Sequence, residues 1–200
     1  MLIPKVLDNK SKFVIAVAFT LWITFLACSV DVKDGKNGES SKVDIQTPVG
    51  GIHVNEEADV HDTGLPPYPG ARVKPKAHDG DSKSANVNLS AMGFGIKVVA
   101  LEYESDDAPA KVLAFYRDKL KKYGDVLECH TNKHGGDQDV DYHGDDSGSK
   151  PVSCKGDNHG SVIELKVGTE NNQHIVSVEP EGKGTDFAVV MVQIHGKETI

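Results

Sequence analysis

One stretch of this chain reads as helix, and almost every other patterned stretch reads as strand. The helical stretch is "DDAPAKVLAFYRDKLKKYG", residues 106–124. Val112, Leu113, Tyr116 and Leu120 recur at helical spacing, and Phe115 widens the stripe. Asp107 stands where a helix N-cap is expected, and Pro109 is tolerated in a first turn. Lys119, Lys121 and Lys122 suit the negative end of the helix dipole, and Gly124 supplies the stop. A single amphipathic helix cannot bury its stripe alone, so the rest of the chain has to provide a sheet.

Several segments alternate as strands do. "ANVNLS" alternates Val87 and Leu89. In "FGIKVVALEYES", Ile96, Val98, Ala100 and Glu102 face one way, and Val99, Leu101 and Tyr103 the other. "DVLECHT", "SVIELKVG", "QHIVSVEP" and "DFAVVMVQIH" follow the helix, the last three as a meander with turns at "TENN" and "PEGKGT". The expected fold is α+β: a two-layer domain over 63–200, with a mostly antiparallel sheet packed against one main amphipathic helix. "LPPYPGARV" leads into it through three prolines that favour extended backbone. Residues 28–62 read as a flexible tether, rich in Gly and Ser at its start. Within it, "VDIQTPVGGIHV" at 43–54 has the alternation of a small hairpin across a "PVGG" turn, able to pack on the domain or stand apart as a flap. No internal repeat is present.

The N-terminus sets the compartment. Lys5, Lys10 and Lys12 precede an unbroken apolar run of 15 residues, Phe13 to Ala27. A transmembrane helix needs roughly 20. A basic start, a short apolar stretch and small residues at its end describe an export signal over 1–27. "LAC", Leu26 to Cys28, resembles a bacterial lipobox, with Phe25 where that motif usually has Leu. The resemblance implies cleavage before Cys28 and acylation of its sulfur. One acyl chain holds weakly and several hold durably, and bacterial lipoproteins carry several. Ser29, rather than Asp, next to the cysteine implies sorting to the outer membrane. A competing cut exists: "ACS" fits ordinary signal peptidase, and cleavage after Ser29 would release a soluble secreted protein without Cys28.

Charge and cysteine content narrow the partners. Losing residues 1–27, which carry three lysines and one aspartate, takes the formal net charge from −8 to −10. Nucleic acid is excluded as a partner, because binding it requires clustered Lys and Arg. Attraction to anionic lipid head groups is disfavoured for the same reason. With Cys28 acylated or removed, Cys129 and Cys154 remain as an even pair in an oxidising compartment. A disulfide is the simplest reading, a metal site with nearby histidines the alternative. There is no CxxC, so thioredoxin-like redox chemistry is excluded.

The stretch between those cysteines is the most unusual in composition. It holds His130, His134, Asp137, Asp139, Asp141 and His143. "DQDVD" has the alternate carboxylates of a calcium loop's first half. The match then ends, with Tyr142 where that loop needs Gly and Gly148 where it needs Glu. Mixed His/Asp ligation of zinc or copper uses the same residues. The plainer reading is a long solvated loop closed at its base by the disulfide. The other histidines are scattered, and His174 reads as a surface residue of a strand edge. HExxH, GxSxG, GxGxxG and P-loop patterns are all absent. No catalytic residues are assigned, and no cofactor is expected.

"YPGA", Tyr68 to Ala71, and "SDDAPAKVLAFYRDKL", Ser105 to Leu120, occur together. As a pair they resemble a pattern in uncharacterised exported or lipid-anchored bacterial proteins. The likeness covers roughly residues 65–128. It implies buried Phe115 and Tyr116, a capping Asp107 and a place in the cell envelope, and carries over no catalytic residue. The resulting expectation is a non-enzymatic lipoprotein of the bacterial envelope, membrane-attached through its lipid and facing the periplasm from the outer membrane. It would bind or assemble with an envelope protein through the sheet face or edge opposite the helix. A metal-binding protein using the 130–146 loop is the first alternative, a soluble secreted protein the second, and a hydrolase the third.

Overall fold

A computed structural model describes residues 28–33, 42–55, 58–74, 84–91, 93–132 and 150–196. Ten strands and one short helix make up its regular structure, and every strand pairing is antiparallel. The strands are β1 (Ser29–Lys33), β2 (Lys42–Thr47), β3 (Gly50–Asn55), β4 (Arg72–Val73), β5 (Ser84–Ala91) and β6 (Phe94–Ser105), followed by α1 (Pro109–Leu120). Then come β7 (Leu127–Thr131), β8 (Val162–Thr169), β9 (Asn172–Glu181) and β10 (Gly184–His195). The sheet order is β1-β2-β3-β5-β6-β10-β9-β8-β7, and the short β4 pairs with the far end of β6.

The helix forms where its pattern places it. Pro109 occupies its first turn, and Val112, Leu113, Tyr116 and Leu120 are its buried residues. Lys121–Tyr123 tighten into a 3₁₀ turn, and Gly124, at φ 137°, ends it by donating its N–H to the Lys121 carbonyl. α1 lies on β8, β9 and β10. We call that side of the sheet the front. Its core joins Val99, Leu101 and Tyr103 of β6 to Leu165, Val167, Val176, Val178, Phe187 and Val189. The residues of the opposite parity form a second cluster on the back: Ile175, Ala188, Val190, Val192 and Ile194, with Phe94, Ile96, Val98 and Ala100 packed beside them. Strand β6 is therefore two-sided, as its pattern requires.

Three expectations change. Ser29–Lys33, read as the start of a tether, is strand β1, and the 43–54 hairpin is built into the main sheet through β3–β5 pairing. Alternation of Val30 and Val32 with Asp31 supplies the strand signal there, in a segment otherwise dominated by polar and small residues. Asp107 does not cap α1. The N-cap is Ala108, without a side-chain hydrogen bond, and Asp107 instead accepts from the Tyr68 hydroxyl (2.9 Å) and from Lys111 (2.6 Å). His174 is not a surface residue. It is buried on the front of β9, its ring stacked on Tyr123 with centroids 3.7 Å apart.

Candidate functional site

Strand register decides what each face can do. Directly opposed residues of antiparallel strands project from the same side of the sheet. On the back, one row of partners runs Val30, Ile45, Ile52, Leu89, Ile96, Ile194 across β1, β2, β3, β5, β6 and β10. The next row runs Val32, Val43, Val54, Val87, Val98, Val192. All twelve positions are aliphatic. The front of β1, β2, β3 and β5 is polar, and the polar row crosses the near ends of β6 and β10. Asp31, Asp44, His53, Asn88, Lys97 and Gln193 form one row, and Lys33, Lys42, Asn55 and Asn86 begin another.

Burial grades along these rows. At the β10 end Ile194 is 7 % and Val192 1 % exposed. At the β1 end Val30 is 60 % and Val32 56 % exposed, with Ile52 at 37 %. Val49, in the β2–β3 turn, is exposed as well. Most of the exposed large apolar side chains among the described residues thus gather at one end of the sheet. Cys28, an exposed free thiol, sits at that end, one residue before Ser29, whose partner is Gln46 beside the turn.

The polar front of β2, β3 and β5 forms a shallow groove of about 270 Å³ along Asp44, His53, Asn86 and Asn88. His53 Nδ1 lies 3.0 Å from Asp44 Oδ2, Asn88 donates to Asn86 (3.0 Å), and Asn86 donates to Asp62 (3.2 Å). These side chains satisfy one another in the open. The pairs along it are an imidazole with a carboxylate, an amide with an amide, and an amide with a carboxylate.

The back of β8, β9 and β10 also carries polar groups. Glu164 and Lys166 are both buried and joined at 2.8 Å. Lys74 is paired with Asp186, and that carboxylate holds the ammonium above the ordinary lysine range. The cleft lined by Lys74, Glu102, Ser177 and Asp186 has room for about 10 Å³. That is the space of roughly one water, too small for an organic substrate.

Cys129 of β7 and Cys154 form the disulfide read from the sequence, S–S 2.07 Å. Cys129 is opposite Glu164, so the bridge lies on the back, where it ties the 150–155 segment to the β7 edge. His130 is on β7, 3.8 Å from Glu128. The other five residues read as metal ligands, His134, Asp137, Asp139, Asp141 and His143, lie outside the described residues. Among the described residues no three metal-binding side chains converge. Glu102 and Glu104 fall on the back with Ala100, and Glu104 accepts from Arg72 at 3.0 Å.

The "YPGA" and helix segments meet as an aromatic cluster. Tyr68 packs edge-on against Phe115 (5.2 Å) and Phe187 (6.1 Å), and Tyr103 stacks on Phe187 (5.3 Å). Burial raises the phenol of Tyr68, and the hydrogen bond to Asp107 adds to the effect. These residues clamp α1 to the sheet. No helix among the described residues is long and apolar enough to cross a membrane. No family model, curated protein or solved structure matches the chain.

Proposed function

We propose that this chain is a lipid-anchored protein of a bacterial cell envelope, carried on Cys28 and facing the periplasm from the outer membrane. It acts by binding, through the back of the sheet at its β1–β3 end. The observation that carries this reading is the pair of all-aliphatic rows that pass from the buried centre of the sheet to an exposed edge beside Cys28. Exposed apolar surface that is continuous, and flanked by a polar opposite face, marks a contact site in a folded protein. The buried centre of the same face is already occupied within the fold, so contact is confined to β1, β2 and β3. The two-layer α+β arrangement serves as the support: α1 fixes β8–β10, and β6 carries the rows outward.

The test has two parts. Intact mass of the protein taken from its native membrane gives a chain beginning at Cys28 with acyl groups attached, two hydrogens lighter for the disulfide. A chain beginning at Val30 without lipid makes it a soluble secreted protein and ends the anchor reading. A metal mass retained under native conditions moves the function to the 130–146 stretch. Photocrosslinkers placed in cells at Val32 (back) and at Asp31 (front) then read the contact face. Adducts from 32 and none from 31 support binding through the back. Equal yields, or none from either, overturn it.

A further inference from the structure

The exposed end of the back face needs an occupant, and the chain itself indicates one. The apolar run Phe13–Ala27 stops one residue before Cys28, and β1 begins one residue after it. No spacer separates the sheet from the point of attachment. At about 3.3 Å per strand residue, Val30 lies within roughly 7 Å of residue 28 along the chain, and Val32 within roughly 14 Å. An attached Cys28 is held at the level of the lipid head groups, and amphipathic elements at a membrane surface bury their apolar side about 5–10 Å into it. Whichever group secures residue 28, the β1 edge is brought to the bilayer.

Charge placement fixes which face turns toward the lipid. The two aliphatic rows contain no charged residue from β1 to β10, whereas Asp31, Asp44, Lys33 and Lys42 all project from the front. The exposed apolar residues Val30, Val32, Val49 and Ile52 all belong to the β1–β3 meander. We propose that the back of β1–β3 lies against the surface of the periplasmic leaflet to which Cys28 is attached, so that the domain is seated on the membrane in one orientation rather than hung from it. This rests on the anchor reading above. The occupant is the interface of a zwitterionic phospholipid bilayer. Contact is through aliphatic side chains, so added salt does not release it, because screening acts on charges alone.

Nitroxide labels on the lipidated protein in phosphatidylcholine vesicles test this. With Cys28 acylated and Cys129 paired with Cys154, one introduced cysteine is the only reactive thiol. Val30→Cys and Ile52→Cys report the back, and Asp31→Cys and Gln46→Cys the front, all at exposed positions where substitution leaves the core intact. The expected result is loss of access to a water-soluble nickel chelate, with gain of access to oxygen, at 30 and 52 only, unchanged in high salt. Nickel access at all four positions overturns the proposal. So does shielding of 30 and 52 from both reagents with spin–spin broadening, which assigns the face to a second copy of the chain. Protein without an introduced cysteine is the control. If its Cys28 takes the label, the acyl group is missing and the anchor reading falls with the proposal. If it does not, a failed depth pattern counts against the seated orientation alone.

Discussion

His174 is neutral well below the pH at which a free histidine takes a proton. Burial pushes its pKa down to about 4, and nearby Lys122 acts in the same direction, against a hydrogen bond to the Thr63 backbone. The unfolded chain binds that proton near pH 6.5, so folding stability falls as pH drops from 6.5 toward 4. The slope is at most about 1.4 kcal/mol per pH unit. Asp106 and Asp107 are held below the ordinary carboxylate range by Arg72 and Lys111, so their loss of stabilisation comes at lower pH. Urea midpoints between pH 7 and 4.5 should therefore shift, and His174→Gln should flatten the shift. A wild-type midpoint constant over that range would refute the assignment. Parity carried the signal for this residue: His174, Val176 and Val178 alternate onto one side of β9, which is the helix side. Read as an isolated histidine it looked exposed, because the Tyr123 ring that covers it comes from a distant turn. Gly64 completes the same corner. It holds φ 71°, its carbonyl accepts from Lys122 (2.7 Å) and Tyr123 (2.8 Å), and a Cβ there would overlap the Tyr123 hydroxyl. Left-handed backbone costs a non-glycine residue about 1–2 kcal/mol. Gly64→Ala should destabilise by at least that, as read by the thermal midpoint; an unchanged midpoint would show that the corner relaxes freely.

At the level of elements, α1 was the most legible part of the chain and its cap the least. Its stripe is set by spacing within twelve residues, and Val112, Leu113, Tyr116 and Leu120 are all buried. Leu120→Ala removes a fully buried side chain and should cost about 2–5 kcal/mol in chemical denaturation. A loss under 1 kcal/mol would mean that the helix end repacks. Asp107, by contrast, was claimed by a tertiary partner. The Tyr68 hydroxyl comes from 39 residues away, and no local pattern announces it. Tyr116 has the opposite character: its hydroxyl is buried and nears the Tyr68 backbone without the geometry of a hydrogen bond. Tyr116→Phe should therefore be neutral or stabilising, since deleting a polar atom that lacks a partner removes a desolvation cost. A loss above about 1 kcal/mol would reveal a real bond. The Cys129–Cys154 bridge was legible from cysteine number and the expected export alone. Its cysteines are 25 residues apart, and in the chain-entropy picture closing that loop stabilises by roughly 3.5 kcal/mol. The strand β1 was not legible in the same way. Five residues of alternation beside a Gly- and Ser-rich stretch carry little weight until β2 pairs with them.

Across the whole molecule, stability should fall in one direction, from the strands under the helix to the edge at Cys28. β9 and β10 are covered on both faces, by the front core and by the back cluster. β5 and β3 are only partly buried, and β1 is exposed throughout. Local opening costs least where few apolar contacts are lost. Amide exchange of the protein in aqueous solution should be slowest in β9, β10 and the middle of β6, intermediate in β5 and β3, and fastest in β1 and β2. The gradient has a functional corollary. A meander joined to the core through one seam, β3–β5, gains stability from whatever covers its aliphatic side. A valine or isoleucine taken from full exposure to full burial gains about 1.5–3 kcal/mol, and Val30, Val32 and Ile52 are the side chains with part of that burial still to gain. On the proposed anchor at Cys28, adding a bilayer should thus slow exchange in β1–β3 while leaving β9 and β10 unchanged. Uniform protection across all strands in the free protein would refute the gradient. A membrane effect spread evenly over the sheet would show that the bilayer acts on the domain as a whole and not through this face.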